Sequence, residues 1–321
     1  MVTTIAELTD RLRSGMREII VGGDELTFAL MVALLARGHA LVQGVPGTGK
    51  TLAVRALAAL LGMQYRRIQF TPDLMPADVV GTTVFNPQTA EFSMRPGPIV
   101  TNFLLADEIN RTPPKTQSAL LEAMEEGRVT IDGVPLALPR PFFVCATQNP
   151  IEYEGTYPLP EAQLDRFLVM ARADYPPPAA EAELYSRVAA GFDARAIEPA
   201  TLAAVVRSEE VVRAQDDVRR VHVAPPVRQY VYDLVAATRS NRGLSLGASP
   251  RAGVSLLAAA QAAAAIDERD YATPDDVKDV ALLVLPHRLI VAPQAEIDGV
   301  TSLRVVREIL ESVAIPRETP A

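Results

Sequence analysis

The chain has 321 residues, a formal net charge of −8 and a hydrophobic share of 49%. This length is enough for two domains with separate cores, and this composition excludes an intrinsically disordered chain. No apolar run is long enough to span a membrane, which excludes direct membrane insertion. The acidic balance weighs against broad affinity for nucleic acid. We therefore expect a folded, cytoplasmic protein of two domains.

The first 43 residues predict two helices and a strand. Residues 1–38 carry apolar side chains at helical spacing in two stretches. Residues 19–23, Ile-Ile-Val-Gly-Gly, predict a loop between these helices. Residues 40–43 are a short apolar run, which predicts a buried strand.

A glycine-rich loop follows this strand. It matches the pattern G-x-x-x-x-G-K-[ST] with Gly44, Val45, Pro46, Gly47, Thr48, Gly49, Lys50 and Thr51. Helix-forming residues come next, so the motif stands between a strand and a helix, as a phosphate-binding loop requires. Glycines allow backbone N–H groups to turn toward phosphate oxygens. We expect Lys50 to contact the β- and γ-phosphates of a nucleoside triphosphate, and the Thr51 hydroxyl to hold Mg²⁺.

A second apolar run ends in Asp107 and Glu108, and the strand-like residues 64–70 lie between it and the loop. An aspartate at the end of a strand beside a phosphate loop can hold Mg²⁺. A glutamate next to it can act as a general base toward water. A solvated strand end is the alternative interpretation of the two carboxylates. The order of elements favours hydrolysis of the nucleotide.

Two segments of the first domain predict hairpins. Residues 127–138 form two strand-like runs around an Asp-Gly turn. Residues 81–98 predict a hairpin or a long loop. Ordinary surface connections are the alternative for both. Their placement before functional strand ends makes a substrate-facing role the hypothesis to test.

The composition changes at Asp174-Tyr175-Pro176-Pro177-Pro178, which predicts a linker because prolines neither continue a helix nor pair in a central strand. The residues after it predict helices. We therefore expect an α/β domain with a parallel sheet over residues 1–173 and a linker with a helical domain over residues 174–321.

We do not expect the cysteine or the three histidines to act in catalysis or metal binding. Cys145 sits in an apolar run, which predicts a buried strand residue, and one cysteine allows no internal disulfide. His39, His222 and His287 lack the spacing of metal ligands, so we interpret them as structural or surface residues.

Several motifs together resemble the MoxR family of AAA+ ATPases over nearly the whole chain. They are the phosphate loop and the runs at residues 105–111, 146–150, 159–167 and 247–251. The resemblance implies a three-layer αβα domain, a small all-α lid and ATP with Mg²⁺ as ligands. It also implies a homo-oligomeric ring, usually a hexamer, with the nucleotide between neighbouring subunits.

The resemblance also implies roles for two polar residues near strand ends. Asn149 resembles the sensor-1 residue, which orients the attacking water; a turn asparagine before Pro150 is the alternative. Arg166 resembles the arginine finger offered to the γ-phosphate of the neighbouring subunit. A surface ion pair with Asp165 or another acid is the alternative for Arg166.

Three further assignments follow from the resemblance. Arg251 resembles the sensor-2 arginine, by which the lid senses the γ-phosphate, with a capping or surface arginine as the alternative. Arg111 is a second candidate for action across the subunit interface. Ile20 and Val21, with Gly22, resemble the loop that packs on adenine, and plain core residues are the alternative.

The resemblance implies an ATPase that works as a chaperone. MoxR-type ATPases mature other proteins, often by helping to insert metals or cofactors, and act with a separate partner that carries a von Willebrand factor A domain. A nucleic-acid motor is the alternative, because helicase-like relatives share the hairpins, although residues 127–138 hold only Arg128 as a cation. A magnesium-chelatase-like subunit is a third possibility. The preference for ATP over GTP rests on the resemblance alone, since the phosphate loop contacts only phosphates.

Overall fold

A computed structural model of the chain describes residues 4–149, 155–194, 197 and 203–316. The first domain contains, in chain order, α1 (Ile5–Ile19), α2 (Asp24–Leu35), β1 (Ala40–Gln43), α3 (Lys50–Leu60), β2 (Tyr65–Gln69), α4 (Pro76–Val80), β3 (Gly81–Asn86), β4 (Glu91–Pro96), β5 (Phe103–Asp107), α5 (Pro114–Glu126), β6 (Arg128–Ile131), β7 (Val134–Ala137), β8 (Phe143–Gln148), α6 (Glu161–Leu164) and β9 (Val169–Arg172). The predicted helices, the first strand and the strand before Glu108 are confirmed. Residues 1–3 lie outside the described residues.

Five of these strands form one parallel sheet in the order β2-β5-β8-β1-β9. Alternate residues of β5 point to opposite faces. Phe103 and Leu105 join the apolar cluster that contains α1, α2 and α3 side chains. Leu104 and Ala106 join the cluster that contains α5 side chains. Both faces of the sheet are therefore covered, which confirms the three-layer α/β architecture.

Both predicted hairpins are present. β3 pairs with β4, and β6 pairs with β7, each antiparallel. The turn of the second hairpin has left-handed backbone at Asp132 and Gly133, with φ of 47° and 85°, as the Asp-Gly pair predicts. The Asp132 carboxylate accepts a hydrogen bond of 2.8 Å from the Thr83 backbone N–H. The two hairpins are thus joined to each other.

The C-terminal part contains α7 (Pro178–Ala189), α8 (Ser208–Val218), β10 (His222–Val223), α9 (Pro225–Ser240), β11 (Leu244–Leu246), α10 (Pro250–Ile266), β12 (Tyr271–Ala272), α11 (Pro274–Val284), β13 (Ile290–Val291), α12 (Pro293–Ile297) and α13 (Ser302–Ser312). It is helical as predicted, and we refer to it as the lid. Two small strand pairs, β10–β12 and β11–β13, were not predicted. Strands of two or three residues are too short to show an alternating pattern. The domain boundary at residue 174 stays a prediction.

The lid packs against the first domain through α10 on α2 and α11 on β9. Among the helices in the described ranges, none combines the length and the apolar composition that crossing a membrane requires.

Candidate functional site

The glycine-rich loop connects β1 to α3 and has the backbone geometry of an anion site. Gly47 and Gly49 have φ of 85° and 79°, values that favour glycine. A Cβ atom at either glycine would meet nothing within 4 Å, so the loop faces open space. At Gly44, in contrast, a Cβ atom would lie 2.3 Å from the Ala173 carbonyl oxygen. Only glycine therefore allows the loop to start so close to the end of β9.

Two side chains of the loop contact its own backbone. Lys50 Nζ donates to the carbonyls of Gly44 and Val45, the second at 3.1 Å. Thr48 Oγ1 donates to the Val45 carbonyl over 3.0 Å. Thr51 is half-buried in the first turn of α3. Lys50 and Thr51 thus lie at the N-terminal end of a helix, where a phosphate group is stabilised.

Asp107 ends β5 and is 6% exposed. Thr147 Oγ1 donates to its Oδ1 over 2.5 Å, and Arg67 Nη2 lies 2.6 Å from its Oδ2. β8 lies between β5 and β1, so Asp107 lies two strands from the one that leads into the phosphate loop. An aspartate carboxylate and a hydroxyl such as that of Thr51 are hard oxygen ligands, which suit Mg²⁺.

Glu108 follows in left-handed backbone, with φ of 58°. Its backbone N–H donates to Thr147 Oγ1 over 2.9 Å. Its Oε2 accepts a hydrogen bond of 2.7 Å from Gln69 Nε2 and lies 3.0 Å from Arg111 Nε. The carboxylate of Glu108 is therefore held by two side chains of its own chain, and Arg111 is engaged within the subunit.

Asn149 follows β8 and is 5% exposed. Its backbone carbonyl accepts a hydrogen bond of 3.4 Å from Asn110 Nδ2. The carboxyl ends of parallel strands lie at the same edge of the sheet, so Asn149 lies at the same edge as Asp107 and the phosphate loop. Pro150, which completes the predicted turn, lies outside the described residues.

Three residues of this edge were missed by sequence reasoning: Thr147, Arg67 and Gln69. The pairing of Ala106 with Ala146 sets Thr147 beside Asp107. β2 pairs with β5, with Gln69 opposite Asp107. Gln69 ends β2 and Thr147 lies next to the last residue of β8, which was a visible signal, whereas Arg67 lies in the middle of β2. Use of this signal required the strand order.

Arg166 and Arg251 lie away from the sheet edge that holds the phosphate loop, and they share one partner. Both pair with Glu125 near the end of α5: Arg166 Nε lies 3.1 Å from its Oε2, and Arg251 Nη2 lies 2.7 Å from its Oε1. We refer to Arg166 and Arg251 as the arginine pair. The two guanidiniums hold the pKa of the Glu125 carboxyl below its ordinary value, mainly through the hydrogen bond from Arg251.

The arginine pair is at the other edge of the sheet. Arg166 precedes β9, whereas the phosphate loop follows β1, and these two neighbouring strands are parallel. The four residues of β1 separate the two edges by about 13 Å. Arg166 therefore does not lie beside Lys50 of its own chain, and neither does Arg251, which we had expected to report the γ-phosphate through the lid.

The lid holds the segment around Arg166. Arg288 Nε lies 2.6 Å from Asp165 Oδ1, and the Arg288 side chain is only 2% exposed. Arg288 also donates to the carbonyls of Phe167 and Leu168. His287 Nε2 lies 3.0 Å from the Phe167 carbonyl oxygen. These contacts attach the lid to the residues that flank Arg166.

The loop predicted to pack on adenine lies between α1 and α2. Ile20 and Val21 are half-buried. A Cβ atom on Gly22 would lie 2.9 Å from Ala180 Cβ and 3.6 Å from Pro177 Cδ. This loop therefore packs against the start of α7. Its contact with adenine stays a prediction.

The histidines and the cysteine are structural or surface residues, as predicted. His39 Nδ1 accepts from the Val144 N–H, and burial lowers the His39 pKa from 6.5 to about 4. His287 is buried and His222 is exposed. Cys145 is buried in β8, and burial raises the pKa of its thiol.

Comparison with known proteins agrees with this geometry. The profile of the ATPase family associated with various cellular activities (AAA) matches residues 39–169, and the profile of the AAA lid domain matches residues 236–309. Chaperone MoxR1 of Mycobacterium tuberculosis is 43% identical over 311 residues, which cover 94% of this chain and 81% of that protein. This chain belongs to the MoxR family of AAA+ ATPases.

Two further similarities extend over nearly the whole of this MoxR-family chain. The YeaC protein of Bacillus subtilis is 47% identical over 306 residues, which cover 95% of this chain and 94% of that protein. A solved structure from Cytophaga hutchinsonii superposes with a TM-score of 0.88 at 37% identity, and covers 98% of this chain and 96% of that chain. The family predicted from the motifs is confirmed.

Proposed function

We propose that this MoxR-family chain hydrolyses ATP, with Mg²⁺, at a site that two neighbouring copies complete together in a ring. The observation that carries the proposal is the division of functional residues between two edges of one sheet. The phosphate loop, Asp107 and Glu108 lie at one edge, and Arg166 and Arg251 lie at the other. A second copy can bring its arginine edge to the phosphate edge of the first, and repeating this heterologous contact closes a ring. We expect a hexamer.

Each residue then has a defined task. The backbone N–H groups of residues 44–49 and the Lys50 ammonium bind the phosphates. Glu108 accepts the proton of the attacking water, and Asn149 orients that water. Arg166 of the neighbouring copy meets the charge that develops on the transferred phosphoryl group.

The oxygen ligands at the phosphate edge fit Mg²⁺. The Thr51 hydroxyl and the Asp107 carboxylate would hold it, and the bound ion would neutralise charge on the phosphates. Arg67 and Thr147 fix the orientation of the Asp107 carboxylate.

We further propose that the ring uses hydrolysis to mature or remodel other proteins, with a von Willebrand factor A protein as a separate partner. Relatives named as a chaperone and as MoxR proteins support this use. Metal or cofactor insertion is the client task that we would test first. The joined hairpins at residues 81–98 and 127–138 are the candidate client contacts, because Phe85 and Phe92 expose 48% and 73% of their surface there.

The variant Glu108→Gln tests both parts. It is expected to bind Mg-ATP, and more tightly than Mg-GTP, without turnover, whereas Lys50→Ala is expected not to bind it. Used as bait in a nuclease-treated native extract with ATP, Glu108→Gln should retain a von Willebrand factor A protein or a metalloenzyme that Lys50→Ala does not retain. If the variant captures only nucleic acid, in extract that is not treated with nuclease, the result would contradict the chaperone function and favour a nucleic-acid motor. Full ATP turnover by Glu108→Gln would contradict the proposed active site, because Glu108 could then not be the required general base.

A further inference from the structure

Glu125 is the one acidic residue that contacts both members of the arginine pair within the described part of the chain. Each of its carboxylate oxygens receives a different guanidinium, Arg251 at 2.7 Å and Arg166 at 3.1 Å. The two arginines come from distant parts of the sequence, one from the segment before β9 and the other from the first turn of α10. Glu125 therefore joins the sheet edge to the lid.

The surroundings of Glu125 are cationic. A cavity of about 250 Å³ lies beside it. Its lining holds four guanidiniums, from Arg37, Arg166, Arg251 and Arg288, and two carboxylates, from Glu125 and Asp165. Of these, Arg37 and Arg288 face other partners, Asp216 and Asp165. Asp165 also lies 4.0 Å from Arg251, but Glu125 is the carboxylate that pairs with both Arg166 and Arg251 and so offsets their mutual repulsion.

Two guanidiniums that pair with the same carboxylate repel each other, and the negative charge of that carboxylate offsets the repulsion. Without Glu125, the half-exposed Arg251 would swing toward solvent and Arg166 would lose its partner. With Glu125, both guanidiniums are held at one place with N–H donors to spare, since each has five. Such a preorganised pair can donate hydrogen bonds to two oxygens of one phosphate group.

We propose that Glu125 is a positioning residue that holds Arg166 and Arg251 together as one receptor for the terminal phosphate of the nucleotide bound by a neighbouring copy. This inference rests on the proposed shared site. Glu125 acts through the two arginines and does not touch the nucleotide. Its effect therefore falls on the site of the neighbour and leaves the phosphate loop of its own chain intact.

The test uses Glu125→Gln, which keeps the shape of the side chain but not its charge, and Glu125→Asp, which is too short to reach both arginines. The control is Glu126→Gln, because the ion pair of Glu126 in the described part of the chain is with Arg128, on the surface at 2.7 Å. We expect both Glu125 variants to lower kcat for ATP about tenfold through misplacement of the arginines. The KM should stay within about twofold of wild type because the nucleotide-binding edge is unchanged, and Glu126→Gln should match wild type. Wild-type or higher kcat in both Glu125 variants would overturn the inference.

Mixed rings separate this positioning role from a merely structural one. Glu125→Gln is mixed with Lys50→Ala, whose arginines are intact, and Arg166→Ala is mixed with Lys50→Ala in parallel. When the two variants are mixed in equal amounts and assemble at random, about a quarter of the sites combine an intact phosphate loop with a neighbour whose arginine pair is intact. Both mixtures should therefore recover about a quarter of wild-type turnover. Recovery of turnover in the mixture with Arg166→Ala, but not in the mixture with Glu125→Gln, would contradict the role of Glu125 and still support the shared site. Recovery in neither mixture would remove the shared site itself.

Discussion

Lys50 and Arg166 lie at opposite edges of one parallel sheet, since Lys50 begins the helix after β1 and Arg166 precedes the neighbouring strand β9. In one chain, the lysine that would bind the phosphates and the arginine that would neutralise them therefore do not meet. Under the proposed shared site, a second copy must therefore supply the arginine. The proposal also makes the two residues separable by experiment, because each would then be supplied by a different subunit.

Thr147 is expected to support hydrolysis through Asp107 and Glu108. Its hydroxyl donates to Asp107 Oδ1 over 2.5 Å and accepts from the Glu108 N–H over 2.9 Å. Thr147→Val removes both hydrogen bonds with little change in shape, so we expect kcat to fall about tenfold while the chain stays folded. Steady-state ATP turnover and the thermal midpoint measure these effects. The exposed Thr130 gives the control Thr130→Val, and equal kcat in the two variants would contradict the assigned role.

Arg111 is expected to act on the site of its own chain. It pairs with Glu108 at 3.0 Å, which places it at the phosphate edge and not with the arginine pair. Arg111→Ala should lower turnover, and mixing it with Lys50→Ala should not restore activity, because the defect and the intact phosphate loop lie in the same subunit. Turnover of that mixture at equal total protein is the measurement. Recovery to the level reached by Arg166→Ala with Lys50→Ala would instead place Arg111 across the interface.

Arg288 is expected to stabilise the docking of the lid. Its buried side chain pairs with Asp165 at 2.6 Å and donates to the carbonyls of Phe167 and Leu168. Arg288→Ala leaves these groups without their partner, at a cost of about 3 kcal/mol in the free energy of unfolding. Denaturant unfolding measures this loss. Arg304 pairs with Glu308 at the surface, and Arg304→Ala is expected to cost less than about 1 kcal/mol. A similar loss in the free energy of unfolding for both variants would contradict the expectation that Arg288 stabilises the docking of the lid.

His39 is expected to make the fold less stable in mild acid. Its pKa is about 4 in the folded chain and 6.5 ordinarily. The unfolded chain therefore binds more protons between pH 4 and 6.5, and stability rises with pH across this window. The contribution of His39 is fully present above pH 6.5, is lost as pH falls to 4, and amounts to about 3 kcal/mol.

The free energy of unfolding of His39→Gln, measured at pH 5 and pH 7, tests this effect. Its difference between the two pH values should be smaller than that of wild type. The buried His287, whose pKa is also lowered by burial, contributes in the same direction in both proteins. His222 is exposed, so His222→Gln should keep the wild-type difference. An unchanged pH dependence in His39→Gln would contradict the assignment.

The sequence predicts the parts of the site that are local. The phosphate loop is a contiguous motif with a strand before it and a helix after it, and Asp107 and Glu108 end a visible apolar run. Thr147 could not be assigned to Asp107, because their contact depends on β8 lying next to β5. Glu125 gave no signal at all, because residues 125, 166 and 251 meet only after the lid docks on the sheet.

The central claim, that activity requires a second copy, is tested most directly by the specific ATPase activity over a dilution series. Turnover per chain is measured at saturating Mg-ATP while mass photometry reports the size of the species at each concentration. The shared site predicts that turnover per chain falls as the assembly dissociates and is lost in the single chain. Constant turnover per chain down to concentrations at which only single chains are present would contradict it.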